Sequence, residues 1–409
     1  MLEPVALNIQ LARQTSDRLR VLIVGAGIAG LTLAQLLRAD GLHPVVIDRM
    51  PDASHPGYML ALMPLVDRAL DDLGVHEAYR RRSTALDRFT FHGHRGPVLR
   101  SDPLGEVLRP YGEYRGIDRG ALVDVLTADG CPVAFGTTVT AVRHDDGVSR
   151  VAFADRDDAA VGEGTFDLVI GADGMHSRMR GLLSIGDVQK VETGWSGWIG
   201  WADDRGDSSS AEELWGNGFF LGVYPVQGRV GVILCRPDAD AELSAVIAGA
   251  RRAVHGIGPR LSGALDAMQQ TEDPYLWRLE DARAEHWVVP GAALLGDAAT
   301  GFLPTAGIGA GMAIESAWML ARMMHGADPS ALQSVLAAWE RVEQPRAESA
   351  QANSRTLAKL MFRPGATIAW LRETAVRAMS IRAALGPILT LVADQPDPDL
   401  LLRTMSATR

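Results

Sequence analysis

The residues with the clearest chemical meaning in this chain are glycines and aspartates, grouped in three widely separated patches. These are Gly25-Ala26-Gly27-Ile28-Ala29-Gly30, Gly171-Ala172-Asp173-Gly174 and Gly296-Asp297-Ala298-Ala299. Glycines spaced as in the first patch permit a tight turn (Gly25), a close approach of bare backbone to a pyrophosphate (Gly27) and close packing of a helix on a sheet (Gly30). A phosphate there sits against the amides of Ile28 and Ala29 at the positive end of a helix. Asp48 stands roughly 20 residues downstream, where a carboxylate accepts ribose hydroxyls and repels a 2′-phosphate, so the bound dinucleotide is expected to be NAD or FAD rather than NADP.

The elements that must position these residues follow from the apolar pattern. Arg20 to Val24 reads as a buried strand, Ile28 to Asp40 as a helix with Leu31, Ala34 and Leu37 facing inward, and Val45-Val46-Ile47 as the next strand, ending in Asp48. An apolar run also precedes each later patch. A dehydrogenase has no use for a second and third acidic glycine turn, so the three together predict one composite FAD site. After the third patch, Gly307 to Gly311 opens another helix, whose unpaired amides carry about half a positive charge. Such a dipole stabilises an anionic reduced flavin by up to ~2 kcal/mol, roughly 40 mV in a two-electron potential.

On these motifs the chain resembles the group A flavoprotein monooxygenases, the para-hydroxybenzoate hydroxylase superfamily, over about Arg20 to Gln344. The segment Phe166 to Arg178, with Asp173-Gly174 at its centre, is similar to the family's motif for both FAD and the incoming nicotinamide. In Gly296-Asp297 followed by Pro304-Thr305-Ala306-Gly307-Ile308-Gly309, the resemblance implies that Asp297 binds the ribityl chain and that the next helix begins under the flavin ring. It implies that Arg119 reaches FAD from the side, and that Arg49 or Arg178 could touch a transiently docked NADPH or NADH. Three positions depart from the family pattern: Thr300 stands for a histidine, Gly311 for an asparagine, and Ser316, beside Glu315, for an acidic residue.

The fold class so implied is α/β: a three-layer Rossmann-like FAD-binding domain with an inserted antiparallel substrate sheet and C-terminal helices. The expected boundaries are an N-terminal extension over 1–19, an FAD-binding domain over 20–87, 101–180 and 278–345, a substrate domain over 88–100 and 181–277, and a helical bridge over 346–409. The insert is aromatic and strand-like from Val191 to Leu276. Alternate residues of a strand share a face, so Phe220 and Tyr224 look one way while Phe219, Leu221 and Val223 look the other. Trp201, Phe220 and Tyr224 are the candidate pocket residues. After Pro345, helices are expected at Thr356 to Met361, Ala366 to Arg382 and Pro387 to Ala393.

Composition sets the outer limits. With 409 residues, 47% of them hydrophobic, the chain can form a large core, and Cys131 and Cys235 cannot build a disulfide framework. A net charge of −10 argues against a nucleic-acid partner. No run of apolar residues is long enough to span a membrane, and Met1 to Leu19 lacks a signal-peptide pattern, so a cytoplasmic protein is expected. His92 and His94 lack a third ligand, and no metal is expected.

The reaction implied by the resemblance is NAD(P)H- and O2-dependent insertion of one oxygen atom into an aromatic or polyketide-like molecule through a flavin C4a-hydroperoxide. Hydroxylation, epoxidation and ring-expanding insertion all remain open, as does oligomeric state. The catalytic residues are unknown, because the flavin supplies the reactive oxygen and no general base stands out. Alternatives are a flavin-dependent halogenase, whose signature Trp198-Ile199-Gly200-Trp201 breaks; an isoprenoid-type reductase; and a non-catalytic flavin-binding scaffold or sensor.

Overall fold

The computed structural model describes residues 1–54, 57–237, 241–271 and 274–407. Its first sheet has seven strands in the order Leu2–Pro4, Cys131–Phe135, Val45–Asp48, Val21–Val24, Leu168–Gly171, Ala292–Leu294 and Val288–Val289. Every pairing is parallel except the last. Parallel strands covered on both faces read as unbroken apolar runs, and Val21, Leu22, Ile23, Val45, Val46 and Ile47 are all fully buried here. The helix Ile28–Ala39 packs against the helix Gly309–Met324, and a small antiparallel sheet, Thr138–Asp145, Val148–Ala154 and Ala160–Phe166, lies against the strand Leu168–Gly171. The first residues of the chain join the parallel sheet as an edge strand, with Leu2, Glu3 and Pro4 beside Cys131, Pro132 and Val133.

The second seven-stranded sheet runs Tyr275–Ala284, Val188–Ala202, Arg229–Pro237, Phe220–Val226, Ser210–Trp215, Arg88–His92 and Val98–Asp102. Only the pairing of Ser210–Trp215 with Arg88–His92 is parallel. The strand Tyr275–Ala284 crosses the point where the sequence suggested a domain boundary. One face of this sheet, carrying Trp198, Leu214, Leu221 and Val223, packs on two helices, Leu243–Ala253 and Pro259–Gln270, that the aromatic, strand-like texture of the insert did not announce. The other face, carrying Trp195, Ile199, Phe220 and Ile233, meets Met361 and Phe362 from the C-terminal part of the chain.

A single helix of 30 residues, Leu332–Met361, passes through Pro345 without ending, where the sequence suggested a start beyond it. Proline removes the amide that would bond the Arg341 carbonyl, at a cost near 3 kcal/mol. Burial on both sides of the proline, by Trp339, Ala347 and Ala350, offsets that loss. The shorter helices Ala366–Ala378, Ile381–Ala384, Gly386–Ala393 and Pro398–Ala407 follow. Among the described residues no helix is long and apolar enough to cross a membrane.

Candidate active site

Register explains how the distant patches meet. Val24 lies beside Ile47 on one side and Gly171 on the other, and Gly171 lies beside Leu294, so four parallel strands end level with one another. Gly25, Asp48, Asp173 and Asp297 all follow these carboxyl ends, the edge at which open α/β sheets bind ligands. Backbone bonds fasten the ends together: Gly25 N–H to the Ile47 carbonyl (2.8 Å), Ala172 N–H to that of Val24 (2.8 Å) and Leu295 N–H to that of Gly171 (2.8 Å).

The glycines divide into two kinds. Gly25 has φ +114°, and a Cβ there would stand 2.3 Å from the Ala172 carbonyl oxygen; a Cβ on Gly30 would stand 2.0 Å from the Gly25 oxygen. These positions are closed by backbone. At Gly27 and Gly174 a Cβ would meet nothing within 4 Å, so those two face open space. The first intrahelical bond is Leu31 N–H to the Gly27 carbonyl, which leaves the amides of Ile28, Ala29 and Gly30 without a helical acceptor. Likewise Met312 N–H bonds the Ile308 carbonyl, freeing the amides of Gly309, Ala310 and Gly311. Two helix N-termini therefore point positive ends at one space.

That space is a cavity of about 430 Å³ lined on one side by Gly27, Ile28, Ala29, Arg119, Gly174, Asp297, Pro304, Gly307, Ile308 and Gly309. Asp48 holds the turn from behind, its Oδ2 accepting Ala26 N–H (2.8 Å) and its Oδ1 accepting Met50 N–H (2.8 Å). Gly296 packs behind the lining, where a Cβ would come within 2.7 Å of the Ala29 Cβ. Arg49 is exposed and does not line the cavity. Asp173 caps its own turn: Oδ1 accepts the Ser177 hydroxyl (2.5 Å) and Oδ2 accepts the amides of Arg178 (2.7 Å) and Met179 (3.1 Å). Asp297 lines the cavity and is exposed there. The protein packed around it still pushes its carboxyl up to about 6, against the pull of Arg180.

The opposite wall is the aromatic sheet. Phe220 and Tyr224 line the cavity together with Phe89, Phe91, Ile199, Trp215 and Trp277, while Leu221 and Val223 face the helices behind. Trp201 does not line it. This residue sits at the far end of its strand, beside Gly231, under the Arg229 guanidinium (3.6 Å to the ring centre), which in turn bonds Asp118. Its strand parity is that of Ile199, so it shares the cavity's face of the sheet, but its place along the strand puts it beyond the cavity. His92 and His94 are separately satisfied, His92 by the Gly96 carbonyl and Glu212, His94 by Glu373.

The FAD binding domain model matches residues 18–354, most of the chain. This protein belongs to the group A FAD-dependent monooxygenases. The chain is 29% identical over 383 residues to the aurachin C monooxygenase/isomerase of Stigmatella aurantiaca, covering 88% of this chain and 94% of that one. It is 35% identical over 177 residues to the FAD-dependent monooxygenase esdpE of Penicillium shearii, covering 40% of this chain and about a third (34%) of the fungal protein. The crystal structure of Klebsiella pneumoniae HpxO with FAD and uric acid superimposes with a TM-score of 0.82 at 20% identity, over 94% of this chain and 99% of that one, a likeness that establishes the fold.

Two features of the monooxygenase site were not singled out by its sequence. Arg180, almost fully buried, donates to the carbonyls of Ala298 (2.8 Å), Met175 (2.8 Å) and Asp297 (2.7 Å), tying the second patch to the third. Burial lowers its pKa, while Asp173 and Asp297 raise it. Glu213, on the strand Ser210–Trp215, lines the aromatic wall and accepts hydrogen bonds from the Tyr224 hydroxyl and from Trp215 Nε1 (2.7 Å). The available signal was strand parity, which puts Glu213 on the face of Trp215. Thr300, where the family pattern has histidine, is buried with no hydrogen-bond partner for its hydroxyl, and Gly311 has only ordinary contacts around it.

Proposed function

We propose that this protein is an NAD(P)H- and O2-dependent monooxygenase that inserts one oxygen atom into an aromatic or polyketide-like small molecule. The observation that carries this reading is the continuity of one cavity from two helix N-termini and Asp297 to a wall of aromatic side chains. The residues present fit FAD: open space at Gly27 and Gly174, free amides at Ile28 to Gly30 for the pyrophosphate, Asp297 for the ribityl chain and Arg119 at the side, while Asp48, outside the cavity lining, holds the glycine turn in place. Bound there, FAD would supply hydride acceptance from NADPH or NADH and the activation of dioxygen.

The chain's own residues do the rest. The amides at the start of the helix Gly309–Met324 present positive charge to a ring that becomes anionic on reduction. Phe89, Phe91, Trp215, Phe220 and Trp277 supply flat apolar surface for a planar substrate and exclude water, which protects a reactive oxygen donor from wasteful decay. The halogenase alternative would call for a lysine near the flavin, and neither Lys190 nor Lys359 lines the cavity, which weighs against it. The test is substrate-stimulated NADPH oxidation coupled to oxygen uptake by the FAD-loaded protein, with a product heavier by one oxygen atom. Failure of every aromatic offered to stimulate oxidation would favour a flavin-binding scaffold.

A further inference from the structure

Glu213 is the acidic group of the aromatic wall; burial raises its carboxyl above the ordinary value, while the hydrogen bonds from Tyr224 and Trp215 to its two oxygens favour the ionised form. It is 8% exposed and lies opposite Gly222 on the neighbouring strand. Because Gly222 has no side chain, the rings of Phe220 and Tyr224 close over it; a Cβ there would stand 2.7 Å from Tyr224 Cε2. That closure brings the Tyr224 hydroxyl diagonally onto Glu213 Oε1. The Trp215 indole can only donate, so Oε2 is fixed as an acceptor at 2.7 Å. With its hydrogen committed to Glu213, the hydroxyl of the cavity-lining Tyr224 is left to act toward a ligand as an acceptor.

Compensating positive charge is missing from this wall. Among the described residues that line the cavity, Arg119 is the only cation, and it starts a helix that packs on the glycine-turn helix of the nucleotide half. Arg372 lies 5.7 Å from the Trp215 ring centre but gives its terminal nitrogens to the carbonyls of Met361, Trp215 and Gly216 and does not line the cavity. The Tyr114 phenol and the Cys235 thiol also feel Glu213, and both are held in their neutral forms by burial and by Glu213 itself.

Resting on the monooxygenase reading above, we propose that Glu213, held by Tyr224 and Trp215, is the specificity-determining group of the substrate half, selecting a neutral aromatic that donates a hydrogen bond from a hydroxyl or ring N–H and rejecting aromatic carboxylates. A carboxylate brought to this wall would place two anions in one apolar enclosure, where both cannot stay ionised without a cation between them. A neutral hydroxyl instead completes the chain of donors, giving its proton to Tyr224 Oη as Tyr224 gives its own to Glu213. A site built around a buried polar group rejects a ligand that cannot pair with it far more strongly than an apolar pocket rejects a change of size.

The test titrates the FAD-loaded protein with naphthol, naphthoate and methoxynaphthalene, reading the change in flavin absorbance. Naphthol should bind at least about tenfold more tightly than either of the others, since each loses one matched interaction. Glu213→Gln should bring naphthoate within about threefold of naphthol by removing the buried anion, with FAD content and melting temperature reported alongside. Tyr224→Phe, which keeps Glu213, should instead abolish the preference for naphthol over methoxynaphthalene. Equal binding of naphthoate and naphthol by the unmodified protein, no binding of naphthol at all, or a selectivity ratio unmoved in both variants would overturn the proposal. Since the readout is binding, an absence of NADPH oxidation would count against the monooxygenase reading and leave this selectivity intact.

Discussion

The two seven-stranded sheets of this protein build their halves of one cavity in opposite ways. At the carboxyl edge of the parallel sheet the polar groups offered are backbone: amides of Ile28 to Gly30 and of Gly309 to Gly311, left without helical acceptors at two helix starts. On the antiparallel sheet the cavity is lined by side chains, among them Glu213, Trp215, Phe220 and Tyr224, contributed by paired strands. At Gly25 and Gly30 the backbone half tolerates no added atom, since the neighbours there are carbonyls that cannot rotate away. A site made from side chains yields by rotamer and keeps its fold, so the two halves should fail differently under mutation.

The largest effect is expected from Gly25→Ala, which sets a Cβ against the Ala172 carbonyl and forces a side chain onto φ +114°. A loss of about 2–4 kcal/mol in stability and of most bound flavin should follow, checked by urea denaturation and by flavin content after purification. Arg180→Met should come next: it strips the carbonyls of Met175, Asp297 and Ala298 of their donor and should cost about 2–3 kcal/mol in the same denaturation assay.

Asp297→Asn sharpens the comparison through pH. The Asp297 carboxyl titrates near 3.8 when unfolded and at about 6 in the folded cavity, so between those values the native state binds more protons than the unfolded one. Its contribution to stability therefore falls as pH rises through that window and stays low above it. With flavin removed, the variant should melt above the unmodified protein at neutral pH, and the gap should close as pH is lowered toward 4. A gap of constant size across that range would show that Asp297 is not the titrating group.

The substrate sheet should give smaller, local responses. Gly222→Ala meets only ring edges, at 2.7 Å on Tyr224 and 3.0 Å on Phe220, so a cost of about 1 kcal/mol is expected, with flavin retained and naphthol affinity reduced several-fold. Flavin loss from this variant would break the distinction between the halves. Trp201→Ala, outside the cavity, should lose only its contact with Arg229, at most about 1 kcal/mol, and leave ligand affinity unchanged.

What could be read from the sequence follows the same division. The glycine turns and their strands were legible because each depends on local backbone geometry: a turn needing φ above zero, a helix start needing bare amides. Strand parity likewise separated Phe220 and Tyr224 from Leu221 and Val223. Parity alone could not say that Trp201 lies past the end of the cavity, because that depends on where the crossing elements sit. Pro345 reads as a boundary on local grounds, yet packing around Trp339 carries the helix through it.

The order of residues by itself determined the nucleotide half, since phosphate recognition by backbone is written in short, contiguous stretches. Only the tertiary structure decided the rest. It levelled four strand ends so that distant patches meet, sent Arg180 across to the carbonyls of the third patch, and folded the C-terminal helices against the cavity. The meeting of Glu213, Tyr224 and Trp215 depends on the pairing register of two strands and on the room left by Gly222. No single segment contains that information, because register is fixed by long-range pairing and by the packing of both sheet faces.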